Sequence, residues 1–275
     1  MTQAGRGPAG AGWAALDRIR PVLAGALIAL DFDGTLAPIQ RDPSAVRLAD
    51  GGLAVLTELA ERGARVAIVT GREAAVVLRL GGIESVPGLV IEAVYGAERW
   101  AAGELTSPPT PASMVAARHG AQAILDAQRA EVPETDGAWL EDKRINMVVH
   151  TQRTIDPEGA QRALAPHIDA LARAHNLEMH PGRNVLEIRL PGIDKGSALR
   201  RLIAESPDGP TALLAAGDDV GDVPALEAAR DWGVATGRPV ATIASGAAPS
   251  SPVARAALLT LGGPADVVAA LRTLL

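Results

Sequence analysis

The chain has 275 residues, a net charge of −6, 48% apolar and 2% aromatic residues, and no cysteine. That length suits one large domain, or a core with a smaller second domain, and is enough to bury a substantial interior. Without cysteine there are no disulfides, thiolate metal sites or thiol nucleophiles. Without a Lys/Arg block, neither nucleic acid nor an acidic membrane is expected as a partner.

Residues 1–12, rich in Gly, Ala and Pro, read as a loose tail. Arg18 and Arg20 then precede "PVLAGALIAL", which has the charge and length of a signal-peptide core. The run enters "DFDGT" directly, however, with no small-residue cleavage site behind it. It is also shorter than the roughly 20 residues a membrane span needs. A buried strand in a cytoplasmic protein is therefore the expectation. "LADGGLAVLTELAERG" follows as a helix, with Leu53, Leu56, Leu59 and Ala60 at helical spacing and Gly63 as its stop. "ARVAIV" reads as a strand ending at Thr70-Gly71-Arg72, and a second helix runs to about Leu80. "GLVIEAVYG" is more strand.

The rhythm changes after "SPPTP" (107–111), which reads as a linker. A helix is expected from about Ser113 to Ala130, then two strands in "AWLEDKRINMVVHT" meeting near Lys143-Arg144. A helix from about Asp156 to His175 follows, then a hairpin in "LEMHPGRNVLEIRL" turning at Pro181-Gly182. Beyond it "TALLAAG" ends at Asp218-Asp219, "ALEAAR" is helical, "WGVAT" reads as a strand, and a last helix runs from about Pro264 to Leu275. Continuously apolar strands alternating with helices predict a parallel sheet covered on both faces. The helix–hairpin–helix–hairpin stretch predicts a smaller inserted α+β unit. The expected division is a core over 1–107 and 191–275 with the insert at 108–190.

Period two assigns faces to the insert's strands. Leu186, Ile188 and Leu190 point one way; Val185, Glu187 and Arg189 point the other; Trp139, Glu141 and Lys143 share a face. Pattern alone favours a solvated face over a ligand-covering one, because charged strand faces are usually the wet side.

Asp31 and Asp33 stand one residue apart where the first apolar strand finishes. They could be caps, a D-x-D pair holding a metal against a nucleotide diphosphate, or a D-x-D-G-T in which Asp31 is a nucleophile and Asp33 a general acid–base. The third accounts for more residues. Gly34 permits a sharp turn, and Thr35 can donate to the turn or to a phosphoryl oxygen. A carboxylate attacking a phosphate ester approaches an anion, and Mg²⁺ suits that task because it takes oxygen ligands and bridges carboxylates to phosphate. Asp218, Asp219 and Asp222 offer the missing oxygens. Thr70 can bond a phosphoryl oxygen, Gly71 lets the backbone approach, and Lys195 in "GIDKGSAL" supplies a point charge. Each of these alone is more often a cap or a surface group.

Together, D-x-D-G-T, T-G-R, D-K-G and G-D-D-x-x-D resemble the four motifs of the haloacid dehalogenase-like phosphatases. "LDFDGTLAPI", "VTGRE", "YGAERW", "LEDKRINMVVH", "VLEIRLPGIDKGSAL" and "AGDDVGDVPAL" resemble the successive blocks of bacterial trehalose-6-phosphate phosphatases, from about Leu27 to the C-terminus. The resemblance implies a Rossmann-like core with a mobile cap, Mg²⁺, and hydrolysis of trehalose 6-phosphate through an aspartyl-phosphate. It makes Asp31 the nucleophile and a metal ligand, and Asp33 the acid–base that also lends its backbone carbonyl. Thr70 and Lys195 become phosphoryl-holding residues, and Asp218 a metal ligand with Asp219 and Asp222 beside it. Gly71, Arg72, Glu141, Lys143, Glu187 and Arg189 become substrate-binding, which reverses the reading of the cap's charged face. A monomer with a functional link to a trehalose-6-phosphate synthase is expected. Another sugar phosphate, such as sucrose-, glucosylglycerol- or mannosylglycerate-phosphate, or a non-catalytic sugar-phosphate sensor, is the alternative. The chain departs from the family's usual G-D-D-x-T-D-E with a later Phe, placing Gly221, Val223 and Leu226 there. His150 and Arg153 stand three apart where the family has His-x-Arg, and the usual His-Gly after the Tyr-Gly block is absent.

Overall fold

The structure is a computed structural model that describes residues 8–40 and 42–275. In chain order the elements are α1 (Pro8–Ile19), β1 (Leu27–Leu30), α2 (Gly52–Glu61), β2 (Arg65–Val69), α3 (Ala74–Gly81), β3 (Val90–Ala93), β4 (Glu98–Ala101) and β5 (Glu104–Thr106). Then come α4 (Ala112–Glu131), β6 (Trp139–Asp142), β7 (Met147–His150), α5 (Pro157–Ala174), β8 (Glu178–Gly182) and β9 (Val185–Arg189). The chain ends with α6 (Lys195–Ala204), β10 (Leu213–Gly217), α7 (Val223–Thr236), β11 (Val240–Ser245), α8 (Pro252–Ala256), β12 (Leu259–Leu261) and α9 (Pro264–Arg272). Two compact units result. One runs up to Thr106 and resumes over Asp194–Leu275; the other is Ser107–Ile193.

The larger unit is built on an eight-stranded sheet in the order β12-β11-β10-β1-β2-β3-β4-β5. It is parallel from β12 to β3, and β4 and β5 add antiparallel strands at one edge. β1 and β10 are buried along their whole length, as apolar runs with helices on both faces must be. The core on one face joins Leu27 and Ala29 of β1 to Leu199 and Leu202 of α6 and Leu226 of α7. Leu27–Leu30 pairs with Leu213–Ala216 on one side and with Arg65–Ile68 on the other. The carboxyl ends of β10, β1 and β2 therefore lie side by side. Strand order runs outward from β1 in both directions, which makes this the switch point where such sheets take ligands.

The smaller unit is a four-stranded antiparallel sheet, β6-β7-β9-β8, covered by α4 and α5. Leu186 and Ile188 of β9 are fully buried against Met114, Ala117 and Leu125 of α4 and Leu164 and Ile168 of α5, on the face that period two assigns them. Among the described residues, no helix is long and apolar enough to cross a membrane.

Several expectations need correction. The tail expected over 1–12 is helical from Pro8, in an α1 that packs on β11 and β12; residues 1–7 lie outside the described part. "WGVAT" is not a strand but the last turns of α7, ended by Gly237 at φ 71°. Five residues of alternating bulk fit either period, and the strand is the overlooked "VATIAS" of β11. The hairpin turns at Arg183-Asn184, with Asn184 at φ 59°, rather than at Pro181-Gly182. Pro181 stays in strand because β8 is an edge, where a missing N–H costs no ladder bond. Finally, the charged face of β9 is not the wet side that pattern alone favours: Glu187 and Arg189 are 7% and 8% exposed.

Candidate active site

β1 delivers Asp31 to the end of the central strand, where it is buried and its N–H donates to Ala216 O (2.9 Å). The following turn folds back on itself, Gly34 N–H to Ala37 O (2.7 Å), and Ser245 Oγ at the end of β11 donates to Gly34 O (2.6 Å). Gly34 sits at φ 72°, and a Cβ there would lie 2.2 Å from Asp218 Oδ2. Glycine therefore lets the first and last acidic strand ends approach each other.

Lys195 is the first residue of α6, whose N-cap Asp194 accepts from Ser197 N–H (2.6 Å). A cation at a helix N-terminus opposes the helix dipole. Two carboxylates offset that: Lys195 Nζ donates to Asp31 Oδ1 (2.6 Å) and to Asp222 Oδ1 (2.5 Å), all three side chains being nearly inaccessible. The other oxygen of Asp222 accepts from the backbone N–H groups of Asp218 (3.0 Å) and Asp219 (3.2 Å). One oxygen each from Asp31, Asp218 and Asp222 falls within 4.8 Å of the others.

One ammonium cannot compensate this many carboxylates. Burial pushes the Asp31 carboxyl well above its usual range despite Lys195, with the Asp222 and Asp218 charges adding to the push. Burial likewise raises Asp222. Asp218 is raised to about 7 by burial and by the charges of Asp222 and Asp219. For Lys195, burial favours the neutral amine, but Asp222, Asp31 and Asp219 outweigh it and hold the ammonium well above its ordinary value. The surplus negative charge, carried entirely on oxygen donors, fits a hard divalent cation.

Thr70 ends β2. It is buried, its N–H donates to Glu92 O (3.0 Å), and its hydroxyl accepts from Arg72 N–H (3.2 Å) while its own O–H remains a donor. Gly71 makes room for Tyr95, since a Cβ would meet the phenol oxygen at 2.7 Å. Val94 and Tyr95 lie at φ 46° and 59°, strained for such side chains, and Tyr95 N–H donates to Thr70 O (2.9 Å). Arg72 grips Asp33 with two guanidinium nitrogens, one contact being Nη2 to Oδ1 at 2.7 Å.

The structure thus gathers Asp31, Thr35, Lys195, Asp218 and Asp222, with Asp33, Thr70, Gly71 and Arg72 on the adjoining turns. The carboxylate of Asp33 belongs to the Arg72 pair. Asp219, exposed, accepts from Gly221 N–H (2.8 Å), so neither is in the three-carboxylate group. Glu141, Glu187 and Arg189 lie on the sheet of the smaller unit, and Lys143 just past the end of β6. There Glu187 accepts from Asn146 Nδ2 (2.6 Å) and from Arg189 (2.8 Å). Sequence reasoning missed Ser245 because the strand carrying it was missed, and missed Tyr95 because backbone strain leaves no pattern in composition.

The profile of the trehalose-phosphatase family matches residues 29–251. A trehalose-phosphate phosphatase of Mycobacterium marinum is 31% identical over 214 residues, which are 74% of this chain and 52% of that protein. The chain therefore spans about half the length of the curated relatives it matches. Among solved structures, an Aspergillus fumigatus trehalose-6-phosphate phosphatase is 25% identical with a TM-score of 0.69, covering 95% of this chain and 96% of that one. A haloacid dehalogenase-like hydrolase from Bacteroides thetaiotaomicron, 16% identical over 91% of this chain and 99% of its own, shares the fold at a TM-score of 0.58. With the profile spanning most of the sequence and the acidic strand ends assembled as the motifs require, the chain belongs to the trehalose-phosphatase family.

Proposed function

We propose that the protein hydrolyses trehalose 6-phosphate to trehalose and phosphate through an aspartyl-phosphate, with Mg²⁺ as its cation. The observation that carries this reading is Asp31. It ends the central strand, is bonded to Lys195, and lies within reach of Asp218 and Asp222, in a chain of this family. The Asp31 and Asp218 carboxylates and the Asp33 carbonyl would hold Mg²⁺, which supplies Lewis-acid stabilisation of phosphoryl charge. Asp31 attacks phosphorus as the P–O bond to the sugar's bridging oxygen breaks, and Asp33 gives that departing sugar oxygen a proton. Asp33 then takes a proton from water, which attacks the acyl phosphate and releases phosphate and the Asp31 carboxylate. Lys195 and Thr70 donate to phosphoryl oxygens as charge moves onto them. Arg72, bonded on both sides to Asp33, orients that carboxylate instead of reaching for substrate.

In this reading the smaller unit is the cap, its Glu141, Lys143, Glu187 and Arg189 facing sugar hydroxyls. The enzyme works as a monomer on a sugar phosphate supplied by a trehalose-6-phosphate synthase. Phosphate release against a panel of sugar phosphates, with and without Mg²⁺, tests it. A preference for trehalose 6-phosphate that needs the metal supports it, and a flat profile reduces the assignment to a phosphatase of other sugar phosphates. Asp31→Asn is expected to abolish turnover with the fold intact.

A further inference from the structure

The sheet of the smaller unit holds a stack for which the proposed chemistry has no use. His150 of β7 lies over Trp139 of β6, its direct cross-strand partner, with ring centroids 4.0 Å apart and planes 5° from parallel. The guanidinium carbon of Arg153 stands 4.9 Å from the same indole's centroid. The buried indole N–H has no acceptor among the described residues. Packing against its faces therefore holds Trp139.

His150 is directed at Glu141. Its Nε2 lies 2.9 Å from Glu141 Oε2, and Lys143 Nζ approaches that same oxygen at 3.7 Å. Both contacts fall on one oxygen, and Oε1 has none among the described residues. The His150 contact, helped by Lys143, lowers the Glu141 carboxyl below its ordinary range, so the free oxygen belongs to an anion. On a half-exposed strand a glutamate left alone spreads over several rotamers. Here one oxygen is anchored through an imidazole whose plane is itself fixed by the indole, and the other is presented in a set direction.

We propose that His150 is a positioning residue for substrate selection: stacked on Trp139, it fixes Glu141 so that Oε1 accepts a hydroxyl hydrogen from the sugar of the phosphate ester. This rests on reading the smaller unit as the cap that meets the sugar. It goes further by assigning selectivity to a residue that touches no substrate. The relevant ligand class is a phosphorylated pyranose with a free ring hydroxyl, so a phosphate ester without one gains nothing from the device.

The test compares His150→Phe, which keeps a stacking ring but loses the donor, with His150→Gln, which restores an N–H donor. Both are assayed with Mg²⁺ on trehalose 6-phosphate and on p-nitrophenyl phosphate, with far-UV dichroism to verify folding. Loss of one charge-assisted hydrogen bond predicts a KM for trehalose 6-phosphate about tenfold higher in His150→Phe. Its kcat, and both constants for p-nitrophenyl phosphate, stay unchanged, and His150→Gln recovers most of the loss. An unchanged KM in His150→Phe, an equal loss on both substrates, or no recovery in His150→Gln overturns the assignment. If the wild type cleaves p-nitrophenyl phosphate but no sugar phosphate, the proposed function falls and takes this role with it. Normal wild-type turnover beside an unchanged variant KM removes only the role of His150.

Discussion

Replacing Lys195 by methionine deletes a buried cation while nearly keeping its volume. The wild-type ammonium makes two charge-assisted contacts, at 2.6 Å to Asp31 and 2.5 Å to Asp222, with 6% of its side chain exposed. Breaking a buried pair by removing one partner costs about 3–5 kcal/mol, because the charge left behind has neither water nor a counter-ion. The cost depends on pH in a direction that can be worked out. Lys195 has a folded pKa above its usual 10.5, so its contribution is complete below that value and is lost only as pH rises through the folded one. Between pH 5 and 8 the lysine itself does not titrate. What changes is the carboxylates: without Lys195, Asp31 and Asp222 move further above 3.8, and the folded variant holds protons that the unfolded chain has released. Stability of the variant therefore falls as pH rises above 3.8, more steeply than that of the wild type.

The gap between the two proteins should thus be smaller at pH 5.5 than at pH 8, out of a full cost of about 3–5 kcal/mol. Urea unfolding of the metal-free proteins measures it. A Trp139→Phe background confines fluorescence to Trp13, Trp100 and Trp232, all in the larger unit, so that the smaller unit's transition does not blur the reading. A gap under about 1 kcal/mol at pH 8, or one that narrows with rising pH, would refute the claim that Lys195 neutralises this cluster.

Gly34→Ala places a Cβ 2.2 Å from Asp218 Oδ2 at φ 72°. It should cost about 1–2 kcal/mol in backbone strain and raise the Mg²⁺ concentration for half-maximal activity about tenfold; an unchanged metal requirement argues against the close approach of the two loops. Because Asp218 titrates near 7 without metal, a cation must displace its proton at acid pH but not at alkaline pH. The rise in melting temperature on adding Mg²⁺ should therefore be larger at pH 8.5 than at pH 5.5, and equal shifts would contradict that value.

The acidic strand ends were legible in the sequence because two features coincide there. An apolar run long enough to be buried stops at a carboxylate, and a parallel sheet sends all such ends to one side. Asp31 and Asp218 follow from that rule, and Thr70 from its second half, as the polar residue that stops the apolar run of β2. The commitments within the site were not legible. Nothing in "TGR" says that Arg72 bonds Asp33, because the pair spans 39 positions and depends on two turns. Likewise "WGVAT" satisfies a strand pattern locally, while in the helix the Thr236 hydroxyl donates back to Trp232 O (2.8 Å). The insert's parity was readable and correct for Leu186 and Ile188. That Glu187 is buried and hydrogen-bonded by Asn146 and Arg189 was not, because the first of these contacts spans 41 positions.

The altered last motif is best judged by what the loop after β10 requires. Its backbone donors are satisfied by its own carboxylates: Asp222 takes the N–H groups of Asp218 and Asp219, and Asp219 takes that of Gly221. Val223 then opens α7, and Leu226, fully buried, packs into the core. A threonine at 221 or a glutamate at 223 would add groups to a turn whose capping is already complete, so Gly221 and Val223 leave it intact. The same bonds separate the roles of the acids. Asp222 spends one oxygen on Lys195 and the other on two N–H groups. Among the described residues, Asp31 Oδ2 has only a 3.5 Å contact from Thr35, and the Asp218 carboxylate has no hydrogen bond. The oxygens free to meet a cation are Oδ2 of Asp31 and those of Asp218. Asp222, though within the cluster, keeps the loop and the lysine in place, and it can do so because the turn makes no demand on residues 221 and 223.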